Sequence, residues 1–123
     1  IKFVERVKQN KQRTVKFIKE NIKLGKKIFL YGASTKGNTL LQYYGLTNKE
    51  IPFAAERTKT KWGKYTIGSG VKILSEKEAR KLKPDYFFVM PYGFINKFIK
   101  REKKWIKQGG TFLLPYPFFK KVN

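Results

Sequence analysis

The 123-residue sequence contains neither cysteine nor histidine. Without cysteine, disulfide bonds and thiolate metal sites are excluded, and without histidine the commonest metal ligand and the commonest general base are missing. No apolar run approaches the length that crosses a bilayer, and the amino terminus lacks the charged-then-apolar order of a signal peptide. The sequence therefore favours a cytoplasmic protein with no metal site and no membrane segment.

Acidic residues are scarce, with eight Asp and Glu against 29 Lys and Arg and a net charge of +21. Because basic side chains neutralise phosphates, a basic nucleic-acid-binding protein is one alternative function. Arginine is scarce as well, since 24 of the 29 basic residues are lysine. Proteins that recognise DNA bases or bind phosphates with two parallel hydrogen bonds rely on the guanidinium group of arginine. The lysines are spread along every segment, which is typical of solvated faces. We therefore expect no specific nucleic-acid partner.

Short apolar runs alternate with helical patterns along the whole chain, and 123 residues suffice for one core. This alternation predicts an α/β fold with three layers, Rossmann-like, in which a mostly parallel sheet of about five strands has helices on both faces. Residues 1–123 are interpreted as a single domain. Residues 1–24 form its leading amphipathic helix, which begins without a cap and is consistent with continuation from a preceding domain. The strands are predicted at 28–31, 51–55, 71–74, 86–90 and 111–114, and further helices at 38–44, 75–82 and 94–108.

The first predicted strand leads into the loop Gly32–Asn38, which contains Ser34, Thr35, Lys36 and Gly37. The loop imitates a Walker A sequence, but Asn38 occupies the position of the obligatory lysine, so we exclude an NTPase. The dinucleotide fingerprint also fails, because Ser34 stands where the second glycine is needed. A helix amino terminus with small and hydroxyl residues still favours an anion, and a phosphate is the expected guest. A plain turn between strand and helix remains the alternative.

Two charged residues, Glu56 and Arg57, follow the second predicted strand. Glu56 lies 24 residues after Gly32. In doubly wound sheets an acidic residue at this offset binds ribose hydroxyls; the alternative is a solvated or Arg57-paired carboxylate. Since ligands bind at the carboxyl edge of such sheets, we expect these residues to share one rim with the loop Gly32–Asn38 and with Tyr92, which follows the fourth strand. The segment 58–70 has no clear period and is predicted to be a long ordered loop or a flap.

An ordered series of motifs resembles the carboxy-terminal domain of S-adenosylmethionine-dependent sugar C-methyltransferases, from about Lys27 to the end of the chain. The motifs are Tyr31-Gly-Ala-Ser-Thr-Lys-Gly-Asn-Thr-Leu-Leu-Gln-Tyr43, Ala55-Glu-Arg57, Thr66-Ile-Gly-Ser-Gly70, Ser75-Glu-Lys-Glu-Ala79, Pro84-Asp-Tyr-Phe-Phe-Val-Met-Pro-Tyr-Gly-Phe94, Arg101-Glu102 and Gly109-Gly-Thr-Phe112. The sequence departs from the pattern at three places. Tyr92-Gly93 stands where relatives often have Trp-His, Thr58-Lys59 where they often have Asn-Pro, and Phe118 where they have an acidic residue.

The resemblance implies a substrate-side domain that binds a nucleoside diphosphate-linked keto-deoxysugar. It implies no cofactor bound by this domain, with S-adenosylmethionine expected in a separate upstream domain or subunit, so the domain alone is not expected to transfer a methyl group. The predicted substrate-binding residues are Gly32, Ser34, Thr35, Lys36, Gly37, Asn38, Glu56, Arg57 and Tyr92. Tyr92 is also the candidate catalytic residue, lining the sugar side, while the base is supplied from elsewhere. The alternative from a different class is a stand-alone nucleotide- or dinucleotide-binding module.

Overall fold

The computed structural model describes residues 2–89, 94–115 and 119–123. Its elements follow one another in the order α1 (Lys2–Lys23), β1 (Ile28–Tyr31), α2 (Thr35–Tyr43), β2 (Phe53–Glu56), a 3₁₀ turn (Lys59–Lys61), β3 (Lys72–Ser75), α3 (Glu76–Lys81), β4 (Tyr86–Val89), α4 (Ile95–Arg101), α5 (Lys103–Lys107), β5 (Thr111–Leu114) and β6 (Lys120–Val122). None of these helices is long and apolar enough to cross a membrane.

The six strands form one sheet in the order β3-β2-β1-β4-β5-β6. The first five are parallel to their neighbours, and β6 pairs antiparallel with β5. The strand order changes direction between β1 and β4, which makes the carboxyl end of β1 a switch point where ligands bind in sheets of this kind. The predicted Rossmann-like fold is confirmed, with β6 as an additional strand that the sequence patterns did not indicate.

Side chains of β1 alternate between two cores because successive residues of a strand point to opposite faces. Ile28 and Leu30 pack with α1 and α2 on one face, while Phe29 and Tyr31 pack with α3, α4 and α5 on the other. All four are buried, as a central strand covered on both faces requires. The helices therefore lie on both faces of the sheet, as predicted.

The helix predicted over 94–108 is interrupted, and this part of the prediction was wrong. Glu102 separates α4 from α5 with φ −103° and ψ 26°, outside the helical range. The carboxyl group of Glu102 is buried under α3, where it contacts Tyr31 and Arg80. The backbone hydrogen bonds continue across the interruption, since the Glu102 amide donates to the Phe98 carbonyl and the Ile106 amide donates to the Glu102 carbonyl, both at 2.9 Å.

The segment 58–70 is an ordered loop that returns onto β3. The amide of Gly63 donates to the Ile73 carbonyl at 2.8 Å, and the Ile73 amide donates to the Lys64 carbonyl at 2.8 Å. Ser75 then caps α3, since its hydroxyl accepts a hydrogen bond from the Glu78 amide at 3.0 Å, at the residue where the sequence predicted this helix to begin. The segment 58–70 is thus a loop with one 3₁₀ turn and without a longer helix, as predicted.

Candidate functional site

The loop between β1 and α2 presents the amino terminus of a nine-residue helix at the carboxyl edge of the sheet. Gly32 has φ +86°, a left-handed conformation that glycine adopts without strain. The Ser34 hydroxyl caps the helix by accepting the Gly37 amide at 3.0 Å, and a Cβ on Gly37 would crowd this hydroxyl at 3.2 Å. The amides of Thr35 and Lys36, in the first turn, have no carbonyl acceptor within the helix and are open to an anion.

Glu56 ties the end of β2 to this loop. Its Oε1 accepts the Ala33 amide at 2.7 Å and its Oε2 accepts the Thr58 amide at 2.9 Å. Partial burial opposes ionisation of Glu56, but the hydrogen bonds from Thr58 and Ala33 and the nearby Lys61 outweigh it, so the pKa of Glu56 lies below its usual value. The carboxylate therefore positions the loop, and its remaining lone pairs are available to a ligand hydroxyl.

Asn38 connects α2 to the segment 66–70. Its side-chain amide donates to the Ile67 carbonyl at 2.9 Å, and its side-chain oxygen accepts the Ser69 hydroxyl. Both ends of this side chain are thus engaged within the protein. Asn38 holds the following loop against the helix, which is a role that the sequence pattern did not indicate.

An open hollow of about 440 Å³ lies along one face of α2, from its first turn to its last residue. It is lined by Thr35, Lys36, Thr39, Leu40 and Tyr43. Lys36 is exposed, and within the described residues it has no carboxylate partner. A second lysine, Lys61, reaches the start of the loop, where its ammonium donates to the Ala33 carbonyl at 3.4 Å. The loop is therefore flanked by two positive charges.

A second hollow of about 270 Å³ lies beyond the ends of β2 and β3. Glu56 and Arg57 line it together with Trp62, Ser75, Glu76, Lys77 and Arg80. Glu56 lines this hollow and accepts a hydrogen bond from Ala33, in the loop that precedes α2.

A buried charged cluster supports the second hollow from beneath. Glu102 is 1% exposed and forms a two-pronged pair with Arg80, with distances of 2.7 Å from Nε to Oε1 and 2.6 Å from Nη2 to Oε2. The Tyr31 hydroxyl donates to Glu102 Oε2 at 2.7 Å. Its bond with Glu102 raises the pKa of Arg80, and burial together with the same carboxylate raises the pKa of Tyr31. Arg80 is held charged and Tyr31 neutral at any physiological pH.

The structure brings most of the predicted site residues to one edge. The loop Gly32–Asn38, Glu56 and Arg57 lie around the carboxyl ends of β1 and β2, whereas Tyr92 lies outside the described residues. No group of side chains suited to a metal ion occurs in the described ranges. Sequence reasoning missed Lys61 and Trp62, both in the segment 58–70, where no periodic pattern marks a position as facing the site.

A doubly wound parallel sheet with a helix amino terminus at its switch point defines the chain as a Rossmann-like α/β domain. A family model described as the C-methyltransferase C-terminal domain matches residues 1–117, so the chain belongs to this family.

A curated relative, the C-methyltransferase NovU of Streptomyces niveus, is 38% identical to the chain over 93 residues. The aligned part is 76% of this chain and 22% of that protein. The chain therefore spans about a fifth of the length of the curated relative that it matches.

Proposed function

We propose that the chain is the substrate-binding domain of a C-methyltransferase that acts on a keto-deoxysugar carried on a nucleoside diphosphate. The observation that carries this proposal is the open amino terminus of α2, flanked by Lys36 and Lys61, in a domain of the C-methyltransferase family. The amides of Thr35 and Lys36 with the two ammonium groups offer hydrogen-bond donors and positive charge to one diphosphate. Family membership favours this function over a stand-alone nucleotide-binding module.

The methyl donor is assigned to another part of the enzyme. S-adenosylmethionine supplies an electrophilic methyl group from a positively charged sulfonium. The described edge of this domain carries Lys36, Arg57, Lys61 and Lys77, and of its two carboxylates, Glu56 and Glu76, the second is paired with Arg80, so it suits an anion better than a cation. The residues of this chain bind and orient the diphosphate and the nucleoside, while the base that generates the sugar enolate comes from elsewhere. The domain alone then transfers no methyl group.

Calorimetric titration of the chain with a dTDP-linked deoxysugar, with dTDP and with S-adenosylmethionine tests the proposal. We expect both nucleotides to bind and S-adenosylmethionine not to bind. Lys36→Ala should weaken dTDP affinity about three- to tenfold, because an exposed ammonium contributes on the order of 1 kcal/mol to a phosphate contact. Lys26→Ala is the matched control, since it removes the same charge just before β1, at the opposite edge of the sheet. Equal affinities of the two variants would refute the phosphate assignment.

A further inference from the structure

Trp62 presents an aromatic ring at the carboxyl edge in a fixed orientation. Its indole N–H donates to the Glu56 carbonyl at 2.7 Å, and the side chain is 37% exposed. Trp105, by contrast, is 6% exposed and donates its N–H to the Pro84 carbonyl, as a buried indole requires. Trp62 is instead held by its indole N–H while its side chain stays partly exposed, and it lines the hollow of about 270 Å³.

The hollow beside Trp62 has the charge and the position of a ligand subsite. Arg57 and Lys77 are exposed on its wall, and neither has a carboxylate partner among the described residues. Arg80 and Glu76, on the same wall, are fixed by their ion pairs. Glu56 joins this hollow to the phosphate loop through its 2.7 Å bond to Ala33. A ligand whose phosphates lie on the loop can therefore extend past Glu56 towards the indole.

We propose that Trp62 is the stacking platform for the nucleobase of the substrate. This inference rests on the proposed function, and it assigns the hollow beyond β2 and β3 to the base and the amino terminus of α2 to the phosphates. An aromatic ring that is already held in place stacks a base at little conformational cost. Arg57 and Lys77 line the same hollow, so their donors are available to carbonyl oxygens of the base.

Fluorescence and calorimetric titrations with dTDP and with inorganic pyrophosphate distinguish binding of the base from binding of the phosphates. Trp62 and Trp105 are the two tryptophans of the chain, and Trp105 lies at the amino edge next to Pro84. We expect dTDP to quench the emission of Trp62, and pyrophosphate to bind without quenching. In Trp62→Phe only Trp105 emits, and dTDP should leave that emission unchanged while it still binds.

Substitutions distinguish stacking from a structural role of the indole N–H. Trp62→Ala should weaken dTDP affinity about five- to a hundredfold and leave pyrophosphate affinity unchanged. Trp62→Phe, which lacks the N–H but keeps a ring, should retain most of the dTDP affinity. Tyr65→Ala is the control, since Tyr65 is a 61% exposed aromatic residue of the same loop.

The outcomes separate this inference from the proposed function. If dTDP binds but Trp62→Ala and Trp62→Phe weaken it equally, the ring does not stack and the inference is wrong, while the substrate assignment stands. If dTDP and pyrophosphate bind with equal affinity and neither changes the tryptophan emission, the inference is again wrong and the substrate assignment again stands. If neither ligand binds, the proposed function and the inference both fail.

Discussion

Arg80→Met is expected to destabilise the protein more than Glu102→Leu, although the two changes break the same ion pair. In Arg80→Met the Glu102 carboxylate, 1% exposed, is left with the Tyr31 hydroxyl at 2.7 Å and loses its cation. An uncompensated buried charge costs about 3–5 kcal/mol. In Glu102→Leu the remaining guanidinium is 37% exposed and keeps Glu76 at 3.5 Å, so it is solvated. The main loss is then the acceptor of the buried Tyr31 hydroxyl, about 1–3 kcal/mol.

The double variant Arg80→Met/Glu102→Leu provides the sharper test. Because it removes both charges and leaves apolar side chains in their place, it should be about 1–3 kcal/mol more stable than Arg80→Met alone. Arg101→Met is the control. Arg101 is 29% exposed, pairs with Glu76 at 3.3 Å and donates a long hydrogen bond of 3.4 Å to the Tyr31 hydroxyl, but it does not contact Glu102, so its loss should cost less than about 1 kcal/mol.

Urea unfolding followed by circular dichroism measures these differences. With a slope of about 1–3 kcal/mol per molar urea, the midpoint of Arg80→Met should fall by at least about 1 M. The free energy of unfolding of each variant is then compared with that of the wild type. If Arg80→Met costs no more than Glu102→Leu, or if the two effects simply add in the double variant, the buried carboxylate does not depend on Arg80 and the reasoning is refuted.

Two further predictions concern the contacts that position the carboxyl edge. Glu56→Gln should cost about 1–2 kcal/mol at pH 7, because the amide cannot accept from both Ala33 and Thr58. Since the pKa of Glu56 is lowered in the folded state, its stabilisation is present above the unfolded value of about 4.3 and is lost as the pH falls through the folded value. Urea unfolding should therefore show a gap between wild type and variant that shrinks towards pH 3, and an unchanged gap would contradict this account. Asn38→Ala should speed amide exchange in residues 66–71 about fivefold or more, whereas α3 should exchange as before.

The sequence predicts most of the fold because its signals are local. The apolar run Ile28–Tyr31 is buried on both faces, and Ser75 with Glu78 marks the start of α3 where the structure has it. Gly32 lies at the predicted turn with a positive φ. Strand β6 escaped prediction because Lys120–Val122 has little apolar character, and it forms by pairing with β5 rather than by a pattern of its own.

The candidate site is predicted less completely because its residues are fixed by contacts between distant segments. Asn38 and Glu56 were expected to face a ligand on the basis of their positions, yet their side chains bind Ile67, Ser69 and two backbone amides. The partner of a polar side chain is set by where other loops lie, and that information is absent from local periodicity. Trp62 was visible in the sequence, but its orientation comes from a hydrogen bond to the end of β2.

The sequence around Glu102 indicates that its carboxylate is buried, but it does not identify the partners of this carboxylate. Phe98 and Trp105 belong to the apolar stripe of the predicted helix, and Glu102 falls four residues after the first and three before the second, on the same face. A carboxylate on a buried face requires a partner, since an isolated buried charge is far too costly. The stripe therefore implied a buried ion pair. Its cation, Arg80, lies 22 residues away and its second donor, Tyr31, lies 71 residues away, so only the tertiary structure identifies them. Through Glu102, Arg80 is connected to Tyr31 on the central strand β1. Because Arg80 also lines the hollow beside Trp62, this cluster joins the centre of the sheet to the wall of that hollow.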